Sequence, residues 1–333
     1  MLEPVIATHS QRLPRNEVMN SLLNLPLAQS VLDRDAVSRD GAELFDALWS
    51  EPETKIVVLH RGKTLLAGQE LKLFSTEEAT AGKYRVYLGR TAAEGAGLKR
   101  GSPIVLSVLS DNAAAALEPN GDMWQELRRT GAGLEPVHAT ILTQAIAIHN
   151  WHETHQFCPA CGEITIMRQG GWSRYCIKEE RELFPRTDAA VIVSIIDNQD
   201  RILLGSQGSW QDNRWSVLAG FVEAAESLES AVKREMLEES GLKVSEPKYL
   251  GSQAWPYPYS LMLAFTAKVS TENSAEDIQA DGIEIAKLRW FTRGELLAEA
   301  KQIQLPTRIS IARALIEHWL GEPITTATEL QGN

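Results

Sequence analysis

Over its first 150 residues the chain alternates short apolar runs with polar turns, a pattern typical of β-strands. Runs rich in Val, Ile, Leu and Tyr occupy residues 55–59, 84–89 and 102–109. From Val137 to Trp151 the apolar spacing becomes that of a helix, with one face formed by Ile141, Leu142, Ala145 and Ile148. No cluster of acid–base residues accompanies these elements. We therefore expect residues 1–150 to form an N-terminal α/β domain with a structural and dimerising role.

A second set of apolar runs follows from residue 187 to residue 320, and here strands and helices alternate. Strands are predicted at 189–196, 201–205, 215–220, 261–269 and 287–291, and helices at 228–239 and 308–320. Thr307 is the predicted N-cap of the last helix, since a threonine hydroxyl can accept a hydrogen bond from the first turn. We expect an α+β protein whose C-terminal domain ends at residue 320 and is followed by a flexible tail, 321–333.

Composition and charge narrow the class of protein. The 333 residues are 44% hydrophobic and 23% charged, as in ordinary globular proteins. No apolar run approaches the ~20 residues of a membrane span, and the first ten residues lack the features of a signal peptide, so no membrane partner and a cytoplasmic location are expected. The net charge of −11 excludes broad electrostatic binding of nucleic acid, and any RNA contact would have to be local.

Between these two segments, residues 151–186 contain all three cysteines and little apolar periodicity. Such a segment cannot bury a core of its own, which indicates that a metal organises it. Two of the cysteines, Cys158 and Cys161, form a CPAC motif, and Cys176 follows after 14 residues. Metal ligands or free thiols fit this spacing better than a disulfide framework.

The predicted helix at 228–239 carries three carboxylates on neighbouring turns. Glu235, Glu238 and Glu239 stand at i, i+3 and i+4, where two charges ~5–6 Å apart repel by ~3 kcal/mol at an effective dielectric near 20. Two of them continue the apolar stripe of the helix, so a counter-ion is needed, and hard cations such as Mg²⁺ or Mn²⁺ prefer oxygen ligands. The simpler alternative is a solvated acidic face with Arg234 and Lys233 as ion-pair partners.

The wider pattern favours the metal site. Residues 220–242 fill the frame G-x5-E-x7-R-E-U-x-E-E-x-G-U, in which U is apolar, at a chance frequency on the order of 10⁻⁸ per register. This frame resembles the signature of the Nudix hydrolases. The resemblance implies a C-terminal α/β/α sandwich with a mixed sheet and metal-dependent hydrolysis of a nucleoside diphosphate derivative. Gly220 would let the backbone approach a phosphate or metal, and Gly241 would end the helix.

Two further motifs resemble the NADH pyrophosphatase (NudC) family within the Nudix hydrolases. One is the segment SQAWPYPYS, which differs from the family's SQPWPFPxS at Ala254 and Tyr257. Its alternative interpretation is an aromatic loop packed for structure only. The other is the cysteine segment, which resembles the family's four-cysteine zinc ribbon but carries Glu179 in place of the fourth cysteine. His155 or His152 could supply the fourth zinc ligand instead, or the metal could be lost.

The resemblance assigns roles residue by residue. It implies Mg²⁺ or Mn²⁺ bound by Glu235, Glu239, Glu284 and the carbonyl of Ala219, with Arg234 and Glu238 completing the catalytic set. It implies one structural Zn²⁺ at Cys158, Cys161, Cys176 and Glu179. The implied substrate contacts are Arg128, Phe184, Phe221, Ala312 and the loop formed by Ser252, Gln253, Ala254, Trp255, Pro256, Tyr257, Pro258, Tyr259 and Ser260.

The implied activity is cleavage of NADH or NAD⁺ into AMP and nicotinamide mononucleotide by a homodimer, with removal of NAD caps from RNA 5′ ends as a further activity. Hydrolysis of diadenosine polyphosphates or of another nucleotide sugar is the alternative within the enzyme class. A zinc-ribbon binding module with an inert Nudix-like domain is the alternative outside it. An inert domain should have lost glutamates of the frame, and this sequence retains all of them.

Overall fold

The computed structural model describes residues 25, 27–28, 31–210, 213–272 and 274–325. The predicted tail, 321–333, lies outside the described residues from residue 326 onward, as does the beginning of the predicted N-terminal domain. The chain divides into two compact units. The first unit comprises residues 25–190 with 252–262, and the second comprises 191–251 with the residues from 263 onward.

The first unit contains three sheets and a long buried helix, and two of the sheets are formed by strands that precede this helix. Its strands are β1 (Leu32–Asp33), β2 (Lys55–Leu59), β3 (Thr64–Ala67), β4 (Glu70–Leu71), β5 (Leu73–Phe74), β6 (Tyr84–Thr91), β7 (Pro103–Val108) and β8 (Trp124–Gln125). Its helices are α1 (Leu44–Ser50), α2 (Asp111–Leu117), α3 (Leu127–Thr130) and α4 (Pro136–Thr154), with 3-10 turns at Ala36–Asp40 and Gly131–Gly133. One sheet has the order β1-β6-β7-β2-β5 and the other β4-β3-β8. Strands β2 and β7 pair in parallel, whereas β1–β6, β6–β7, β2–β5, β3–β4 and β3–β8 are antiparallel pairs.

Helix α4 begins with Pro136, whose fixed φ suits the first helical position. Most of its residues are buried, including Ile141, Leu142 and Trp151, so the helix lies within the core of the unit. It ends at Thr154, and the chain then enters a three-stranded sheet of order β11-β10-β9, formed by β9 (Ile166–Arg168), β10 (Ser173–Cys176) and β11 (Arg181–Leu183), with a 3-10 turn at Gln169–Gly171.

The second unit is built on the sheet β15-β16-β12-β13-β17, with β14 paired to β12. The strands are β12 (Asp188–Ile196), β13 (Ile202–Gln207), β14 (Leu218–Phe221), β15 (Val244–Trp255), β16 (Ser260–Val269) and β17 (Ile285–Phe291). The helices are α5 (Leu228–Ser240), α6 (Arg293–Glu299) and α7 (Ile311–Leu320), with a 3-10 turn at Ala275–Asp277. Apolar residues of α5, such as Val232 and Met236, pack in one core with Val193 and Phe265 of the sheet. The predicted α+β architecture is confirmed.

The predicted N-cap of the last helix is wrong. Helix α7 begins at Ile311, and its N-cap is Ser310, whose hydroxyl accepts a hydrogen bond from the Ala312 N–H at 3.2 Å. Thr307 instead supplies the carbonyl that accepts the Ser310 N–H at 2.9 Å, so it belongs to the turn before the helix. The described residues contain no helix that is both long and apolar enough to cross a membrane.

Candidate active site

The acidic helix α5 faces strand β14 of the second unit at one very close approach. A β-carbon placed on Gly220 would lie 2.0 Å from Cδ of Glu235 and 2.2 and 2.3 Å from its two carboxylate oxygens. Any other residue at position 220 would therefore displace this carboxylate. Helix α5 starts at the cap Ser227 and ends at Gly241, whose φ of 71° lies in the left-handed region, as predicted.

Arg234 connects this helix to the loop that precedes it. Its guanidinium donates to both oxygens of Glu226 at 2.9 and 2.8 Å and to the Phe221 carbonyl at 2.9 Å. It also forms ion pairs with Glu235 at 2.9 Å and with Glu238 at 3.0 Å. The arginine lowers the pKa of Glu226 and is the largest cause of that shift. Arg234 thus ties the loop to helix α5 and pairs with two of the helix's own carboxylates.

Glu239 is the most deeply buried carboxylate of the cluster. It is 4% exposed, and its Oε2 has no hydrogen-bond partner among the described residues. Burial raises its pKa to about 8, and the charges of Glu235, Glu284 and Asp281 act in the same direction. The Ala219 N–H donates to this carboxylate and opposes the shift. A buried carboxylate surrounded by other carboxylates requires a cation for its charged form.

Glu284 stands just before β17, in a loop that Asp281 organises. The Asp281 carboxylate accepts hydrogen bonds from the backbone N–H groups of Glu284 at 3.1 Å, of Ile285 at 2.8 Å and of Ile283 at 3.2 Å. These bonds lower the pKa of Asp281, with the bond from Glu284 as the largest cause. Sequence reasoning missed Asp281, although the Asp-Gly pair at 281–282 before a strand is a turn signal that could have found it.

The donor set of this cluster fits a divalent cation. Burial is the largest cause that raises the pKa of Glu235 and of Glu239, and the charge of Glu284 acts on both in the same direction. The three residues offer oxygen ligands, including one buried oxygen of Glu239 without a hydrogen-bond partner among the described residues. Hard cations of the Mg²⁺ type take such ligands.

The second unit also contains two of the implied substrate contacts, and they differ in exposure. Phe221 is 58% exposed, whereas Ala312, in the first turn of α7, is 4% exposed.

The predicted substrate loop, residues 252–260, belongs to the first unit, as does Arg128. The Arg128 guanidinium lies 3.9 Å from the centroid of the Tyr257 ring and 5.9 Å from that of Trp255. Burial raises the pKa of Tyr257 to about 12, while Arg128 acts in the opposite direction. The structure thus brings Arg128, a substrate contact implied by the family resemblance, against two rings of the loop. Gln253 is 1% exposed, so its side chain lies inside the protein.

The three cysteines of the first unit converge. Their sulfur atoms all lie within 4.8 Å of one another, and this trio is the one such group of His, Cys, Asp or Glu ligand atoms in the described part of the chain. The exposed Glu179 contributes its backbone N–H, which donates to Sγ of Cys176 at 3.4 Å, while its carboxylate lies outside the trio. Both ring nitrogens of His152 are already engaged, with the Gly171 carbonyl at 2.8 Å and the Arg174 guanidinium at 3.1 Å.

Comparison with family models divides the chain into three matched segments. Residues 185–311 match the NUDIX domain, and residues 153–182 match the NADH pyrophosphatase zinc ribbon domain. Residues 53–151 match a domain described as an NADH pyrophosphatase-like rudimentary NUDIX domain. The zinc ribbon match and the converging cysteines agree with a structural zinc site. The acidic helix and its arginine, with the matching domain, define a Nudix hydrolase.

The relatives with similar sequences have names that are more specific than Nudix hydrolase. NAD-capped RNA hydrolase NudC of Mycobacterium tuberculosis is 39% identical over 220 residues, covering 62% of this chain and 69% of that protein. Human NAD-capped RNA hydrolase NUDT12 is 38% identical over 202 residues, covering 56% of this chain and 43% of that protein. A NUDIX hydrolase structure from Nitrosomonas europaea is 22% identical, with a TM-score of 0.39 over 51% of this chain and 97% of that chain. The chain belongs to the NudC family of Nudix hydrolases.

Proposed function

We propose that this chain hydrolyses the diphosphate bond of NADH and NAD⁺, giving AMP and nicotinamide mononucleotide, and that it removes NAD caps from RNA 5′ ends. The observation that carries the proposal is the complete frame of residues around the acidic helix, which an inactive relative would not need to keep. We call this frame the acidic box; it consists of Gly220, Glu226, Arg234, Glu235, Glu238, Glu239 and Gly241. The substrate rests on the likeness to proteins named NAD-capped RNA hydrolases.

In the second unit, one group of residues would bind the metal and another would keep the carboxylates in position. Glu235, Glu239 and Glu284 would hold Mg²⁺ or Mn²⁺ together with the Ala219 carbonyl, and the bound cation would neutralise the diphosphate and acidify an attacking water. Arg234 keeps two of the box carboxylates in place through its ion pairs with Glu235 and Glu238. The segment from Val191 to Leu315 contains no histidine and so offers no imidazole base, and either a carboxylate or the bound cation would have to activate the attacking water.

Recognition of the dinucleotide would come from aromatic groups. The exposed ring of Phe221 can stack on a base, and Phe184, which is 61% exposed in the first unit, offers a second ring. The loop at 252–260, with Arg128 stacked on Tyr257, would select the nicotinamide side of the substrate. Ala312 would contribute only through its position in the first turn of α7.

The remaining partners follow the same reasoning. Zinc would be held by the three cysteines and by Glu179 or His155, since both nitrogens of His152 are engaged. With a net charge of −11 the protein would recognise the NAD cap at the end of an RNA rather than the RNA body. We propose a cytoplasmic homodimer on the basis of the family resemblance.

A product assay tests this function. The full-length protein is incubated with NADH, NAD⁺, ADP-ribose, a diadenosine polyphosphate or an NAD-capped RNA oligonucleotide, each with Mg²⁺, Mn²⁺ or EDTA. We expect AMP and reduced nicotinamide mononucleotide from NADH, AMP and nicotinamide mononucleotide from NAD⁺, a monophosphorylated RNA end from the capped RNA, and no product with EDTA. The Glu239→Gln variant serves as the catalytic blank. Preferential cleavage of the diadenosine polyphosphate would assign the protein to that substrate class instead.

A further inference from the structure

We infer that Asn150, the fifth residue from the end of helix α4, is a positioning residue that holds the substrate-selecting loop 252–260 in its working shape. The inference rests on the proposed function, because the loop's role in selection is part of that proposal. It gives the N-terminal domain, whose segment 53–151 resembles a rudimentary Nudix domain, a task in substrate choice.

The geometry around Asn150 is specific. Its side-chain nitrogen Nδ2 donates to the carbonyl of Pro256 at 2.9 Å and to the carbonyl of Pro258 at 3.2 Å. Carbonyl oxygens only accept hydrogen bonds, so the group facing both of them must be a double donor, and the NH₂ of an asparagine has two protons. The two carbonyls flank Tyr257, and the bond between Tyr257 and Pro258 is cis. Asn150 therefore spans the turn at the centre of the loop.

Asn150 lies on a helix whose neighbouring residues are buried. On helix α4 the residues before and after it, His149 and Trp151, are 6% and 1% exposed, so the helix end cannot shift without disturbing the core. Prolines cannot donate backbone hydrogen bonds, so the turn has fewer ways to fix itself. Asn150 thus adds two hydrogen bonds to a turn whose own backbone bond runs from the Tyr257 N–H to the Trp255 carbonyl.

Other contacts of the loop within the unit involve different groups, and one of them, from the Tyr257 N–H to the Trp255 carbonyl at 2.7 Å, lies inside the turn. Arg128 stacks on the face of Tyr257, and the Asp188 N–H donates to the Tyr259 carbonyl at 3.0 Å. Neither contact reaches the carbonyls of Pro256 or Pro258. Loss of the Asn150 bonds should therefore free the turn while the ends of the loop stay in place. The expected consequence is weaker discrimination between substrates, with the chemical step unchanged, because the side-chain hydrogen bonds of Asn150 go to the loop.

The test is the isosteric variant Asn150→Asp. It keeps the shape of the side chain but replaces the double donor with a carboxylate that faces two carbonyl oxygens. The matched control is Gln156→Glu, the same amide-to-carboxylate change on an exposed side chain shortly after the helix, whose amide donates only to the Glu153 carbonyl at 3.4 Å. KM and kcat are measured for NADH and for ADP-ribose, which lacks the nicotinamide, and the melting temperature is recorded for each variant.

For Asn150→Asp we expect KM for NADH to rise by about tenfold, the factor that corresponds to ~1.4 kcal/mol. KM for ADP-ribose and kcat for both substrates should stay within about twofold of the parent, a change below ~0.5 kcal/mol. The control should behave as the parent. If Asn150→Asp does not give folded protein, Asn150→Ala removes the donors without adding a charge, and the same pattern is expected of it.

An unchanged ratio of the two KM values in the folded variant would overturn the inference, as would equal losses on both substrates. These outcomes differ from a failure of the proposed function, in which the parent protein itself would not cleave NADH.

Discussion

The carboxylate of Glu235 occupies the space that a side chain at position 220 would fill, and Gly220 has no side chain. Glycine is the one residue that leaves this space open, since the nearest carboxylate atom would be 2.0 Å from a β-carbon. The relationship links a strand residue to a helix residue 15 positions later, and it ties the backbone of the box loop to one of its acidic groups.

Replacing this glycine should stop the reaction without unfolding the protein. We expect Gly220→Ala to lower kcat by ~10²-fold or more, as losses of electrostatic stabilisation in an active site commonly do. The measurement is steady-state hydrolysis of NADH with Mg²⁺. Gly294→Ala is the control, because a β-carbon there meets nothing within 4 Å, and it should keep the parental rate. A Gly220→Ala enzyme of normal activity would show that the position of Glu235 is unimportant for turnover.

Glu239→Gln should separate stability from activity. The substitution removes a crowded charge from a buried site, so the melting temperature of the metal-free protein should stay the same or rise. Turnover of NADH should fall by ~10²-fold or more, and binding of Mn²⁺, followed by calorimetry, should weaken. Near-parental turnover with normal metal dependence would contradict the assignment of the acidic box.

The fourth zinc ligand can be identified by substitution. Zinc should co-purify with the protein, and its removal by a chelator should lower the melting temperature, because ligand binding contributes to folding. Glu179→Cys should hold the metal at least as tightly, and Glu179→Ala should hold it more weakly, as measured by competition with a chromogenic chelator. Unchanged affinity in Glu179→Ala would transfer the role to His155 or to a water molecule.

His152 should make the first unit sensitive to acid. Burial lowers its pKa to about 4, and the Arg174 charge acts in the same direction, while the Gly171 carbonyl opposes it. In the unfolded chain the histidine binds a proton near its ordinary pKa of ~6.5, so between pH 6.5 and 4 the unfolded state takes up more protons and stability is lost as the pH falls. The shift from ~6.5 to about 4 corresponds to at most ~3 kcal/mol.

The acid sensitivity is checked by denaturant unfolding of parent and variant at several pH values from 7.5 to 4. His152→Gln should show a shallower loss of stability over this range than the parent, because it removes a buried group that resists protonation. Parallel curves for the parent and His152→Gln would mean that His152 is not a source of the acid sensitivity.

Much of the second unit could be predicted because its local patterns agree with its tertiary environment. Apolar periodicity predicts both strand β17 and helix α5. Two glutamates of α5 stand out in the sequence because they occupy positions that continue the helix's apolar stripe. The N-cap of α7 was misplaced because Thr307 and Ser310 are both good capping residues, and only the fold decides between them.

The contacts that join distant parts of the sequence could not be predicted from periodicity. Asn150 bonds to a carbonyl 106 residues away, and nothing in the helical pattern around it distinguishes it from a solvated polar residue. Asp281 had a local signal in its turn, but its bonds to three consecutive N–H groups depend on the loop closing over its carboxylate. Gln253 is among the implied substrate contacts, and nothing in its polar character indicates that the fold buries its side chain.

The loop at 252–262 lies within the sequence matched by the NUDIX domain, yet it groups with residues 25–190 as a compact unit. Domain exchange between relatives is therefore constrained: a chimera cut at the boundaries of the sequence match would separate the loop from the helix that carries Asn150. An exchange intended to transfer substrate preference would have to move residues 25–190 and 252–262 together. In this protein the boundaries of a domain as matched by sequence therefore differ from the boundaries of the compact unit that would have to be exchanged.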